Sequence, residues 1–158
     1  MNLKEPFVML LIGPSLSGKS TWLRNNYPTV NVISRDQIVM EFAGTRDYNK
    51  AFNTVDQKLV DRVLAERLTD TNLTKTSTIV DMTNMTVKRR AQTLGYFDDS
   101  FYKIAVVFPI LSDEQYQMRN IDRNSKENKW IPPSVIKSMI DSYQYPTLEE
   151  GFDNIIFL

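Results

Sequence analysis

Gly13-Pro14-Ser15-Leu16-Ser17-Gly18-Lys19-Ser20-Thr21 fits the pattern G-x-x-x-x-G-K-S/T. A pattern this short recurs by chance, so its flanks decide what it means. Before it runs Phe7-Val-Met-Leu-Leu-Ile12, an unbroken apolar stretch of strand length, as a buried parallel strand requires. After it, residues 20–26 read as a first helix. A glycine-rich turn between a buried strand and a helix is a phosphate cradle. Gly13 and Gly18 allow a tight turn that aims backbone N–H groups at an anion, and the helix N-terminus adds partial positive charge. In such a loop Ser15, Ser17, Gly18 and Thr21 lie along the phosphates. Lys19 can reach the β- and γ-phosphates of a nucleoside triphosphate, and the Ser20 hydroxyl can ligate Mg²⁺.

Outward from this loop, alternation of strand-like and helix-like stretches continues to the end of the chain. Strands are predicted at 30–33, 77–81, 102–108 and 152–157, and helices at 37–42, 48–68, 113–123 and 134–143. The 48–68 helix rests on apolar residues at helical intervals, from Ala51 to Leu68. Residues 70–76 read as a polar turn. Thr86 is a candidate N-cap for a helix carrying Lys88, Arg89 and Arg90, and Ser112 with Gln115 makes a capping-box pattern. The alternation predicts an α/β fold: a mainly parallel sheet of about five strands with helices on both faces. Ligands then bind beyond the carboxyl ends of the strands, where the loop, Arg35-Asp36 and Asp81-Met-Thr-Asn84 all fall.

Composition narrows the chemistry. The 158 residues predict one domain spanning 1–158, with 42% hydrophobic and 24% charged residues as in a globular protein. Nineteen basic and nineteen acidic side chains give zero formal net charge, so attraction to nucleic acid needs a local patch. Cysteine is absent, which excludes disulfides, thiolate catalysis and cysteine-zinc sites. Histidine is absent too, so a general base working near neutral pH must be another group, and for activating a hydroxyl an Asp or Glu is the natural candidate. No apolar run is long enough to span a bilayer, and the N-terminus lacks a secretory cleavage region. These features predict a cytoplasmic protein.

Three features point beyond nucleotide binding to phosphoryl transfer. Asp36 opens a helix directly after a strand, where it can take the proton of an attacking hydroxyl or merely favour the helix dipole. Arg119 and Arg123 share one helix face ahead of a polar stretch with Lys126 and Lys129. That stretch is either a basic lid over ATP or a solvated helix face. Asp81, ending a strand, can hold Mg²⁺ directly or through water, pair with an arginine, or cap a helix. Lys88, Arg89 and Arg90 form a basic cluster that either binds an acidic substrate or is an exposed face. Trp22 reads as packing, whereas Trp130 is the better candidate for stacking on a base.

In these residues the chain resembles the 5′-kinase half of the phage and animal polynucleotide kinase/phosphatase family. Gly13 to Trp22 is similar to that family's phosphate loop with its trailing Trp, and Ser34-Arg35-Asp36 to its Arg-Asp pair. Asp81-Met-Thr-Asn84 with Arg89-Arg90, and Asp122-Arg123-Asn124-Ser125-Lys126 with Ile131-Pro132-Pro133, resemble its Asp-x-Thr-Asn stretch and its lid. Pro146 to Phe152 resembles the closing segment of the animal kinase domains.

The resemblance implies a P-loop kinase fold with a helical lid at roughly 113–133. It implies ATP and Mg²⁺ as cofactors, Asp36 as the base, and Lys19 and the lid arginine Arg123 on the nucleotide, where Arg119 joins them by its place on the same helix face. Arg35, Asp81, Asn84 and Arg89 would lie towards a nucleic-acid substrate, either the 5′-OH of DNA or RNA. The family's phosphatase motif is absent, and Val39 stands where the phage enzymes have a substrate-binding arginine. Arg35, Arg46 or the 88–90 cluster are its candidate replacements. Kinases of a hydroxymethylated base or of a free nucleoside remain alternatives, as does an NTP-binding switch that transfers nothing.

Overall fold

The computed structural model describes residues 2–158. Five strands, β1 (Phe7–Ile12), β2 (Asn31–Ile33), β3 (Thr78–Val80), β4 (Tyr102–Val107) and β5 (Asn154–Phe157), form one sheet in the order β2-β3-β1-β4-β5. Every pairing is parallel, with Leu10 opposite both Val80 and Ala105, and Ala105 opposite Ile155. Seven α-helices among the described residues connect and cover it: α1 (Lys19–Asn26), α2 (Arg35–Phe42), α3 (Tyr48–Thr54), α4 (Gln57–Thr74), α5 (Val87–Leu94), α6 (Asp113–Glu127) and α7 (Pro133–Asp141).

The continuous apolar run of β1 explains its central place. All six side chains are buried. Val8, Leu10 and Ile12 join one core with Leu68 of α4, Leu94 of α5, Phe97 and Phe101. Phe7, Met9 and Leu11 point the other way, onto Leu23 of α1, Ile104 and Phe108. At about 1.5–3 kcal/mol for each large apolar side chain removed from water, both faces favour this middle position. The chain leaves β1 for β2 at one edge and returns to fill β3. It then crosses to β4 on the other side of β1. The loop after β1 therefore sits where the sheet changes direction, which is where open α/β sheets bind ligands.

Apart from shifts of one or two residues at element ends, the structure revises three helix boundaries and the reading of one basic cluster. The single helix expected over 48–68 is two. Asp56 interrupts it by accepting hydrogen bonds from the N–H groups of Lys58 and Leu59, which caps α4. The apolar rhythm survived the break because Ala51, Val55, Val60 and Val63 pack into one cluster with Ile38 and Val39. Residues 70–76, expected as a turn, are helical to Thr74. Thr69, Thr71 and Thr74 donate their hydroxyls to carbonyls four residues back and so stay within the helix. The helix expected over 113–123 continues to Glu127, carrying i,i+4 pairs Asp122–Lys126 and Arg123–Glu127. The basic cluster at 88–90 is not one exposed face. Arg90 is wholly buried, paired with Glu150 at 2.7 Å and donating to the Asn84 carbonyl at 2.9 Å.

Helices α6 and α7 form an arm. Leu16, from the phosphate loop, is buried between Tyr116 of α6 and Ile136 of α7. The arm is thus pinned to the loop by a side chain of the loop itself.

Candidate active site

The loop between β1 and α1 is a cage closed on itself. The Lys19 ammonium donates to the carbonyls of Gly13 at 2.9 Å and Pro14 at 2.8 Å, and the Ser17 hydroxyl donates to Pro14 at 2.6 Å. Burial lowers the Lys19 pKa to about 8, against partial support from the Asp81 carboxylate. Gly13 is required by close approach: a Cβ there would sit 3.0 Å from Ser17 Oγ and 3.1 Å from Phe108 Cβ. Its N–H donates to the Thr83 carbonyl at 3.0 Å, so it braces the loop and does not point at a phosphate. Gly18 takes φ 91° and opens α1. Leu16 has φ 71°, a left-handed conformation that costs a branched side chain about 1–2 kcal/mol. Its carbonyl accepts from Arg119 Nη1 at 2.9 Å, a second tie between loop and arm.

Beyond the strand ends these groups open into a cleft of about 1380 Å³. Ser15, Ser17, Gly18, Lys19, Ser20 and Thr21 line one side, and Arg119, Arg123 and Lys126 of the arm line another. The Ser20 hydroxyl donates to Asp81 Oδ2 at 3.1 Å. A hydroxyl and a carboxylate side by side at a phosphate loop fit Mg²⁺, which takes few protein ligands and completes its shell with phosphate oxygens and water.

Asp36 lines the same cleft from the first turn of α2, where the Ser34 side chain caps the helix by accepting from Gln37 N–H. Its Oδ1 accepts from the Tyr48 hydroxyl at 2.8 Å and its Oδ2 from Lys129 Nζ at 2.9 Å. Partial burial works to raise its pKa. Lys129, the Tyr48 hydroxyl and Arg123 outweigh that and hold it below the ordinary value, so the carboxylate is ionised at neutral pH. The Tyr48 phenol is pushed up by its own burial and by Asp36, and it remains a donor.

Lys19, Ser20, Asp36, Asp81, Arg119 and Arg123, singled out in sequence, therefore meet at one cleft. Others do not reach it. Arg35 turns away onto α4, donating to Asp61 at 3.0 Å and Gln57 at 2.6 Å. Arg89 is exposed and does not line the cleft. Asn84 is buried, with φ 49°, and its amide donates to the carbonyls of Leu11 and Met82; it ties the carboxyl end of the central strand to the segment that follows β3. Val39 is wholly buried, whereas Arg46 does line the cleft. Trp22 lines the cleft while packing edge-on against Phe108, and Trp130 lies outside the cleft, its backbone N–H donating to the Asn49 side chain. The contacts of Tyr48 and Lys129 with Asp36 were not foreseen. They cross 12 and 93 residues of sequence, and no local pattern marks them.

A family model described as an AAA domain matches residues 8–146. No curated protein matches the chain. Among solved structures, a chain of the Pnkp1/Rnl/Hen1 RNA repair complex aligns with a TM-score of 0.71 at 22% identity, covering 96% of this chain and 48% of that one. The present chain thus spans about half the length of that match. Kti12 of Chaetomium thermophilum, solved with ADP-AlF3, aligns at 0.65 and 14% identity, covering 96% and 88%. A gluconokinase from Sinorhizobium meliloti 1021 aligns at 0.58 and 12%, covering 99% and 83%. The matched span runs from the central strand through the whole of the arm and carries the cleft with it, so the chain belongs to this AAA-domain family and has the fold of the P-loop kinases.

Proposed function

We propose that the chain is a single kinase domain that transfers the γ-phosphate of ATP, with Mg²⁺, to a hydroxyl of a nucleic acid, with a 5′-OH end as acceptor. One observation carries the kinase reading: Asp36, ionised and held by two donors, lines the same cleft as Lys19 and Ser20. A module that only binds nucleotide has no need of a carboxylate so placed.

The roles follow from the geometry. Lys19 leaves the carbonyls of Gly13 and Pro14 to neutralise the β- and γ-phosphates, which restores the full charge that burial works against. Ser20 and Asp81 would hold Mg²⁺, which supplies charge neutralisation on the phosphate oxygens. Arg123 and Arg119, from the arm acting as a lid, stabilise charge on the phosphoryl group in transit. Asp36 accepts the proton of the acceptor hydroxyl as that oxygen attacks phosphorus and the bond to the β-phosphate oxygen breaks.

The nucleic-acid acceptor is supported by the sequence resemblance to polynucleotide kinases and by the likeness to a chain of an RNA repair complex. The likeness to a gluconokinase favours a second reading, a small-molecule hydroxyl. Labelled γ-phosphate offered with four acceptors separates them: a 5′-OH oligonucleotide, duplex DNA with a hydroxymethylated base, a nucleoside and gluconate. Label on the oligonucleotide's 5′ end is the expected result. Label only on gluconate or the nucleoside would overturn the nucleic-acid reading, and label on none would overturn the kinase reading.

A further inference from the structure

Lys129 is a lysine in a surface loop, yet it is buried. Its ammonium sits 2.9 Å from Asp36 Oδ2 and 3.9 Å from the centre of the Tyr48 ring. Burying an ammonium is costly without partners, and here it has a carboxylate and an aromatic face.

The loop that carries Lys129 is fixed from both sides. Asn128, at φ 49°, ends α6. Behind the loop, the buried Asn120 side chain donates to the Ile131 carbonyl at 2.7 Å and accepts from its N–H at 3.0 Å. In front of it, the Trp130 N–H donates to Asn49 Oδ1 at 3.3 Å, on α3. The arm, α2 and α3 thus converge on one carboxylate. Arg119 and Arg123 connect the arm to the nucleotide side of the cleft; Lys129 connects it to the acceptor side.

We propose that Lys129 is a positioning residue for phosphoryl transfer: held between the Tyr48 ring and Asp36, it fixes the aim of that carboxylate when the arm lies over the cleft. The proposal rests on the kinase reading. With Oδ1 bound by Tyr48 and Oδ2 by Lys129, the carboxylate cannot turn without breaking a hydrogen bond, and each oxygen keeps a lone pair for the acceptor hydroxyl. The groups that act on Asp36 are Lys129 from the α6–α7 connection, Tyr48 from α3, Arg123 from α6 and Lys19 from the phosphate loop. Arg46, from the α2–α3 connection, lines the same cleft. Glu41 of α2, Asp81 after β3, and Asp122 and Glu127 of α6 are carboxylates of the same cleft. The groups that act on Asp36 are cationic except the phenol, and Lys129 donates directly to the carboxylate. Without Lys129, Asp36 loses both an orienting bond and the main support of its ionised form.

The test uses the full chain with Lys129→Met, Lys129→Arg and Tyr48→Phe. The measurements are kcat and KM for ATP, the acid limb of the pH–rate profile, and the ¹³C titration of the Asp36 carboxyl group. Lys129→Met should lower kcat about tenfold or more while leaving KM for ATP nearly unchanged, since the contact is on the acceptor side. The acid limb and the Asp36 titration midpoint should both move to higher pH, and Lys129→Arg should restore much of the rate. Should Lys129→Met not fold, Tyr48→Phe gives the same reading from the other oxygen, with a smaller upward move. An unchanged kcat, or a lower kcat with the Asp36 midpoint unmoved, would overturn the proposal. A wild-type chain that transfers to no hydroxyl would instead overturn the kinase reading, and the midpoint would still report whether Lys129 holds Asp36.

Discussion

Leu16 inverts a usual rule of core substitution, and that makes it a sharp probe of how the phosphate loop is held. At an ordinary buried site, glycine destabilises more than alanine, because its unfolded chain is freer by about 0.5–1 kcal/mol. Leu16 is 6% exposed and stands at φ 71°. Truncation to alanine removes its contacts with Tyr116 and Ile136, at the lower end of the about 2–5 kcal/mol seen for buried leucines because the cluster is small. The alanine keeps a Cβ and therefore keeps the left-handed strain of about 1–2 kcal/mol. Leu16→Gly loses the same contacts but releases the strain, which more than offsets its extra unfolded-state entropy. The glycine variant should therefore be the more stable of the two by about 0.5–1 kcal/mol, or a few degrees in Tm at this chain length. Urea unfolding of the wild type and both variants without nucleotide decides it. An alanine variant more stable than the glycine variant would refute the strain argument. Two variants as stable as the wild type would refute the clamp.

Arg90 and Glu150 form the one ion pair among the described residues with both side chains buried, at 0% and 8% exposure. Glu150→Gln leaves the guanidinium buried without its counter-charge and should cost about 3–5 kcal/mol by urea denaturation, whereas Arg90→Met with Glu150→Leu should recover much of that. A single variant with unchanged midpoint would contradict the burial. Lys19 predicts a pH effect. Its pKa falls from 10.5 to about 8 on folding, so the unfolded chain binds more protons between those values and this group makes unliganded stability rise with pH across that window. If Lys19 holds the phosphates of ATP as proposed, binding requires the ammonium, so binding near pH 8.5 should take up protons, and affinity should weaken as pH climbs further. Calorimetry in buffers of different ionisation heat checks this; binding with no proton uptake would contradict a buried, depressed Lys19.

Much of this was legible in the sequence where the determinants are local. The phosphate loop is written in consecutive residues, and β1 in an unbroken apolar run. The Ser112–Gln115 capping box forms as its spacing predicts. Asp36 could be placed at the strand end because its flanks fix where a strand stops and a helix begins.

What escaped was long-range or masked. Arg90 looked like part of an exposed cluster because its partner, Glu150, is 60 residues away. Lys129 looked like one more basic residue of a lid until folding carried it onto Asp36. The break between α3 and α4 was hidden because both helices bury the same apolar face, and only Asp56 marks the interruption. The order of strands in the sheet is a matter of tertiary packing, which periodicity does not encode.

The central claim is that Asp36 is the base of a phosphoryl-transfer site whose nucleotide half stands without it. It is tested most directly by comparing wild type with Asp36→Asn, in two measurements made together: labelled γ-phosphate transfer from ATP to a 5′-OH oligonucleotide, and ATP affinity. The asparagine keeps the size of the side chain but cannot take a proton at neutral pH. Transfer should fall by about 10²–10⁴-fold, the usual contribution of a general base, while ATP affinity stays close to that of the wild type. A variant that transfers phosphate at the wild-type rate would contradict the account.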